Sequence, residues 1–196
     1  MSEQQIELYY KNVTAEVIGR KNGITEEQLE DLAKKTEPLI VKLNKERKAG
    51  KTPYRELPYS KEIPKKVREL KLKLEGRYEN LVVLGIGGSA LGNIALQTAL
   101  NPYMHNLDDK QRSGPRLFIF DNIDPPQLVS FLDWLGDRIN KTVFNVISKS
   151  GQTAETAAQF MIIRQLLLGK LGPNGLFDHI VATTDSKQGT LRKIAD

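Results

Sequence analysis

Four short apolar runs, Leu81–Leu84, Leu117–Phe120, Val143–Ile147 and Ile180–Ala182, constrain this chain more than any other feature. Each is too short for a helix and too uniformly apolar for a strand with one wet face. That is the pattern of central strands buried on both sides of a parallel sheet. Between them lie three segments of helical character, Leu91–Leu100, Gln127–Leu135 and Thr156–Leu168. The starts of successive runs are 36, 26 and 37 residues apart, enough for a βαβ crossover each time. The spacing predicts an α/β fold built on a doubly wound parallel sheet. No internal repeat or low-complexity tract is visible.

The chain divides near residue 75. Residues 1–75 read as a helical amino-terminal extension and residues 76–196 as the sheet domain. Thr25-Glu26-Glu27-Gln28 has the form of a capping box. Leu29, Leu32, Ala33, Leu39, Ile40 and Leu43 then mark one helix face, with Pro38 expected to kink or break it. Gly50–Pro64, with three prolines, is expected to be an extended connector. Ile63–Glu75 reads as a second helix, with Val67, Leu70 and Leu74 on one side.

Charge decides which partners to consider. The net charge is +5, but residues 1–75 carry +4 of it and residues 76–196 only +1. The excess clusters around Lys42–Lys51, where Glu46 interrupts it and no aromatic ring appears until Tyr54. Bases would have nothing to stack on there, so the cluster reads as a solvated helix face and no nucleic-acid partner is expected. There are no cysteines, which excludes disulfides and thiolate metal sites. The first ten residues lack the basic and apolar regions of a secretory signal. No apolar stretch approaches a membrane span. A cytoplasmic protein without membrane contact is expected.

In such a sheet ligands bind beyond the carboxyl ends of the strands, so the loops after the strands carry the chemistry. The first is Gly85-Ile86-Gly87-Gly88-Ser89-Ala90-Leu91-Gly92. Its glycines allow close backbone approach, and the helix start is expected to offer free amides to an anion. It also fits the dinucleotide fingerprint Gly-x-Gly-x-x-Ala. However, the candidate ribose acid, Asp121, follows Ala90 by 31 residues instead of the usual ~20. The loop is not a phosphate-binding Walker sequence either.

The second loop is more informative. Ser148-Lys149-Ser150-Gly151-Gln152-Thr153-Ala154-Glu155-Thr156 opens another helix with hydroxyls at 148, 150 and 153. One helix cap needs one hydroxyl. Three of them, with the helix dipole and backbone freed by Gly151, suit a phosphate dianion.

These residues resemble a known family. Leu84–Gly92 and Ile147–Thr156 are similar to the two signatures of glucose-6-phosphate isomerases. Phe120-Asp121-Asn122-Ile123-Asp124-Pro125 and Val181-Ala182-Thr183-Thr184-Asp185 look like that family's second and fourth strand ends, in the right order. The resemblance covers about residues 63–196. It implies a sugar-isomerase (SIS) domain, a flavodoxin-like three-layer sandwich. It further implies that Ser148, Ser150 and Thr153 hold a substrate phosphate, with Lys149 and Gly151 wrapping it, while Gly88 and Ser89 face the sugar. The family interconverts glucose 6-phosphate and fructose 6-phosphate through a cis-enediol, without metal or cofactor, and forms homodimers. Two other readings stand beside this one: a stand-alone SIS module that senses phosphosugars, and an NAD-binding dehydrogenase domain.

The family's catalytic groups find no counterpart here. The only Gly-Gly pair is followed by Ser89, not by the arginine that would stabilise an enediolate. His105 and His179 are outside the family's histidine context, and His179 is expected to begin a strand. Glu155, in the first turn of its helix, reads as dipole compensation, and a base beside a bound dianion is electrostatically ill placed. No catalytic residue is assigned. The pattern stops at Thr190–Asp196 where the family would continue with a fifth strand, so a fragment of a longer chain is expected, inactive alone.

Overall fold

The computed structural model describes residues 8–110 and 112–196; the amino-terminal residues 1–7, part of the stretch read as lacking a signal, lie outside them. The chain forms two compact units, Met1–Arg68 and Glu69–Asp196.

In the first unit a short helix α1 (Ala15–Ile18) precedes a long one, α2 (Glu26–Lys48). The capping box starts α2 as read from sequence. The Gln28 amide donates to the Thr25 hydroxyl at 3.3 Å, and the Thr25 amide donates to the Gln28 side chain at 3.0 Å. Pro38 does not end the helix. It removes a single intrahelical donor, and its fixed φ is already helical. The apolar face is exposed, with Leu32, Leu39 and Ile40 each at 55%.

The stretch expected to be an extended connector instead coils into a 3-10 turn, Pro53–Tyr59. Arg47 ion-pairs with Glu56 and stacks over Tyr59 at 4.3 Å, while Arg55 donates to the Leu43 carbonyl at 2.8 Å. The Arg47 hydrogen bond holds the Glu56 carboxyl below its ordinary pKa. These ties fold the prolines into turns that their fixed φ permits. Helix α3 (Glu62–Leu74) follows.

The second unit is a four-stranded, wholly parallel sheet, as the spacing predicts. In chain order it runs β1 (Asn80–Leu84), α4 (Gly88–Leu100), β2 (Arg116–Phe120), α5 (Pro125–Leu135), β3 (Thr142–Ser148), α6 (Ala154–His179), β4 (Ile180–Thr184) and α7 (Thr190–Ala195). The spatial order is β2-β1-β3-β4. From β1 the chain steps one way to β2, then returns past β1 to β3 and continues to β4. Right-handed crossovers therefore put α4 on one face of the sheet and α5 and α6 on the other.

Side chains alternate across the strands, and register aligns them. Val82 pairs with Phe118 and Phe144, and Leu84 with Phe120 and Val146. That face is sealed by Phe131 and Leu135 of α5, Phe160, Ile163 and Leu167 of α6, and Leu191 of α7. The central strands β1 and β3 are buried on both sides, as expected; β2 and β4 are only half-buried because they form the edges. Helix α6 outruns the segment read from sequence. It breaks at Gly172, where φ is +71°, and restarts at Pro173, a residue suited to a first helical position.

Among the described residues no helix is long and apolar enough to cross a membrane.

Candidate functional site

The reversal of strand order falls between β1 and β3, so their following loops emerge side by side. Leu84 is in register with Val146. A Cβ built on Gly85 would stand 2.8 Å from the Ser89 Cβ and 3.4 Å from the Ile147 Cβ. The glycine turn and the hydroxyl turn thus share one edge of the sheet, at the place where open α/β sheets bind ligands.

The two turns present different surfaces. In the first, Gly87, the N-cap residue of α4, has φ +57°. The Ser89 amide donates to the Ile86 carbonyl at 3.1 Å, and the Ala90 and Leu91 amides donate to Gly87 at 3.0 and 2.8 Å. The expectation that this helix start offers free amides is therefore corrected in part: the tight turn folds carbonyls back over two of them, Ser89 and Ala90, while Leu91 makes the ordinary first bond of the helix. What remains open is space. A Cβ on Gly88 or Gly92 would meet nothing within 4 Å, and Ser89 is half-buried beside that opening.

In the second turn the amides of Ala154, Glu155 and Thr156 carry no hydrogen bond among the described residues. Like α4, helix α6 has no side-chain cap, and of its first amides only that of Ala157 is bound, to the Thr153 carbonyl at 2.9 Å. Thr153, the N-cap residue, instead places its hydroxyl 3.1 Å from that of Ser148. Ser148 is only 4% exposed, whereas Lys149 and Ser150 are exposed and Gly151 and Thr153 half-buried. The Ser150 hydroxyl accepts from the Gln152 amide at 3.2 Å and keeps its own proton available. Gly151 sits at φ +67°.

Sequence reasoning missed several supporting residues. Gln159, 4% exposed on α6, donates to the Asn122 carbonyl at 2.7 Å and so ties down the loop after β2. That loop is shaped by Asp124, which caps α5 by accepting from the Gln127 amide at 3.0 Å. The Thr156 hydroxyl is buried beneath the second turn without a partner. Gly189, in the turn after β4, abuts the Ser150 carbonyl. A glycine directly before a helix was the only sequence hint of it.

The histidines lie at the other edge of the sheet. His179 ends α6 instead of beginning a strand: its Nδ1 donates to the carbonyl of Thr142, the first residue of β3, at 2.6 Å, and it packs edge-on against Tyr78. That hydrogen bond holds it in the helical end. His105 lies 3.4 Å from the Pro115 carbonyl, ahead of β2.

The family model for phosphoglucose isomerase matches residues 60–193, both turns included. The chain belongs to that family. The glucose-6-phosphate isomerase of Carboxydothermus hydrogenoformans is 38% identical over 182 residues, covering 90% of this chain and 38% of that protein. That of Rubrobacter xylanophilus is 45% identical over 118 residues, 60% of this chain and 26% of the relative. A solved hypothetical protein from Thermus thermophilus superimposes with TM-score 0.66 at 32% identity, over 84% of this chain and 38% of that one. This chain thus spans well under half the length of the curated relatives it matches.

Proposed function

We propose that this chain is the amino-terminal part of a glucose-6-phosphate isomerase, and that its residues 76–196, an SIS-type domain, hold the phosphate of glucose 6-phosphate or fructose 6-phosphate. The observation that carries this reading is the uncapped start of α6, with the hydroxyls of Ser148, Ser150 and Thr153 gathered at it. Ser150 and the first-turn amides donate to the phosphate oxygens directly. Ser148 is too buried to serve as the outermost donor; it donates to Thr153, whose own proton then goes to the anion. Such a chain of hydroxyls polarises toward the charge. Gly151 and the Lys149 backbone wrap the dianion, and the Lys149 ammonium adds positive field. Gly88 and Ser89, one strand away, receive the sugar.

Phosphate binding holds substrate and transition state about equally, so it lowers KM without lowering the chemical barrier. Moving a proton between C1 and C2 needs a positioned base, commonly contributing about 10²–10⁴-fold, and a donor for the developing oxyanion. The two turns supply neither, so the chemistry belongs to a longer cytoplasmic homodimer that needs no cofactor.

Calorimetry tests this reading. The 196-residue chain is expected to bind glucose 6-phosphate and fructose 6-phosphate, to ignore NAD, and to show no isomerase turnover. NAD binding without sugar-phosphate binding would overturn the binding assignment. Robust turnover, abolished by one substitution within the chain, would overturn the division of labour.

A further inference from the structure

The second turn does not stand unsupported, and what supports it was not part of the site as read from either signature. Behind it runs the turn between β4 and α7. The Asp185 carboxylate accepts from the amides of Lys187 at 2.8 Å and Gln188 at 3.1 Å, which fixes the turn's shape. The turn ends at Gly189, with φ +102° and ψ 157°, backbone that essentially only glycine adopts. A Cβ there would lie 2.4 Å from the Ser150 carbonyl oxygen. The contact is reciprocal. A Cβ on Gly151 would lie 2.9 Å from the Leu191 nitrogen, whose amide donates to the Gly151 carbonyl at 3.2 Å. Two glycines thus meet back to back, and a side chain on either would push the turns apart.

We infer that the Asp185–Gly189 turn is a positioning element for the anion site, holding the Ser150–Gly151 backbone from behind so that its front stays aimed at the ligand. Backbone carbonyls repel an anion. Turning the Ser150 and Gly151 carbonyls backward, against Gly189 and the Leu191 amide, leaves hydroxyls and amides in front. The energetic logic is preorganisation: the donors are placed before the ligand arrives. The inference rests on reading Ser148–Thr153 as the phosphate turn.

The test uses the full 196-residue chain and inorganic phosphate, followed by calorimetry and thermal unfolding. Gly189→Ala is expected to weaken phosphate binding at least about tenfold, since a misaimed turn loses the equivalent of one charge-assisted hydrogen bond. Gly136→Ala is the control. Gly136 also has positive φ, +43°, but a Cβ there meets nothing within 4 Å, so it carries backbone strain without disturbing the site and should bind phosphate as the unaltered chain does.

Asp185→Ala should reproduce the loss and Asp185→Asn, which keeps the acceptor oxygen, should rescue it. Should Gly189→Ala fail to fold, the Asp185 pair and amide exchange in the unaltered chain decide. Saturating phosphate is expected to slow exchange at Leu191, behind the turn, as well as at the amides in front. If the unaltered chain binds phosphate while the folded variants bind it within twofold, or Leu191 exchange does not respond, the positioning role is wrong and the phosphate turn stands. If the unaltered chain binds no phosphate, the phosphate turn is wrong and the inference falls with it.

Discussion

The turns after β1 and β3 begin alike, with glycine-bearing loops leading from buried strands into helices, and they end as opposites. After β1 the helix start is closed: the Ser89 and Ala90 amides are bound to the Ile86 and Gly87 carbonyls. After β3 it is open, with the Ala154, Glu155 and Thr156 amides unbonded and hydroxyls around them. Position at the sheet edge is therefore not enough to make an anion site. The closed turn is shaped for close approach, with bare space at Gly88, while the open one is shaped for charge. A phosphosugar has one end of each kind, and the reversal of strand order sets the two turns side by side.

The largest expected effect separates the turns by charge. Ser150→Ala with Thr153→Ala removes two hydroxyl donors, each worth about 1.5–3 kcal/mol to a charged group. Calorimetric affinity for a sugar phosphate should fall by roughly two orders of magnitude or more if the effects add. Ser89→Ala should leave inorganic phosphate affinity nearly unchanged, because the proposed function gives that turn to the sugar. Equal losses from both turns would erase the distinction.

A smaller effect contrasts two neighbouring glycines of the first turn. Gly85→Ala forces a methyl to within 2.8 Å of the Ser89 Cβ, and such overpacking costs about 1–3 kcal/mol. Gly88→Ala meets open space, so urea unfolding should find its stability little changed while sugar-phosphate affinity drops. If both variants were equally destabilised, Gly88 would be a packing residue and the opening beside it would have no role.

Much of this was legible in the chain itself. The strands announce themselves because central strands must be apolar on both faces, and the Thr25–Gln28 box is a local pattern with a local geometry. Part of what escaped depends on residues apart in sequence, and part on local geometry that only the folded chain shows. Pro38 passes through α2 because losing one donor does not stop a helix of that length, and Pro53–Tyr59 coils because Arg47 and Arg55 reach it from α2 and from within the turn. His179 is drawn into a helix end by the Thr142 carbonyl, 37 residues away. In the site, the sequence shows the three hydroxyls but not that Ser148 is buried and bonded to Thr153. Nor does it show that Gly189 stands behind Ser150. The amides of the first turn looked available because only folded geometry reveals which carbonyls curl back onto them.

The most direct test of the difference between the turns is a titration of the chain, labelled with nitrogen-15, with inorganic phosphate, followed by amide chemical shifts. Saturable shifts are expected at Ser150, Thr153, Ala154, Glu155 and Thr156, with Ser89, Ala90 and Leu91 unmoved. Shifts centred on Ser89–Leu91, with the α6 start silent, would place the anion at the wrong turn and contradict the account.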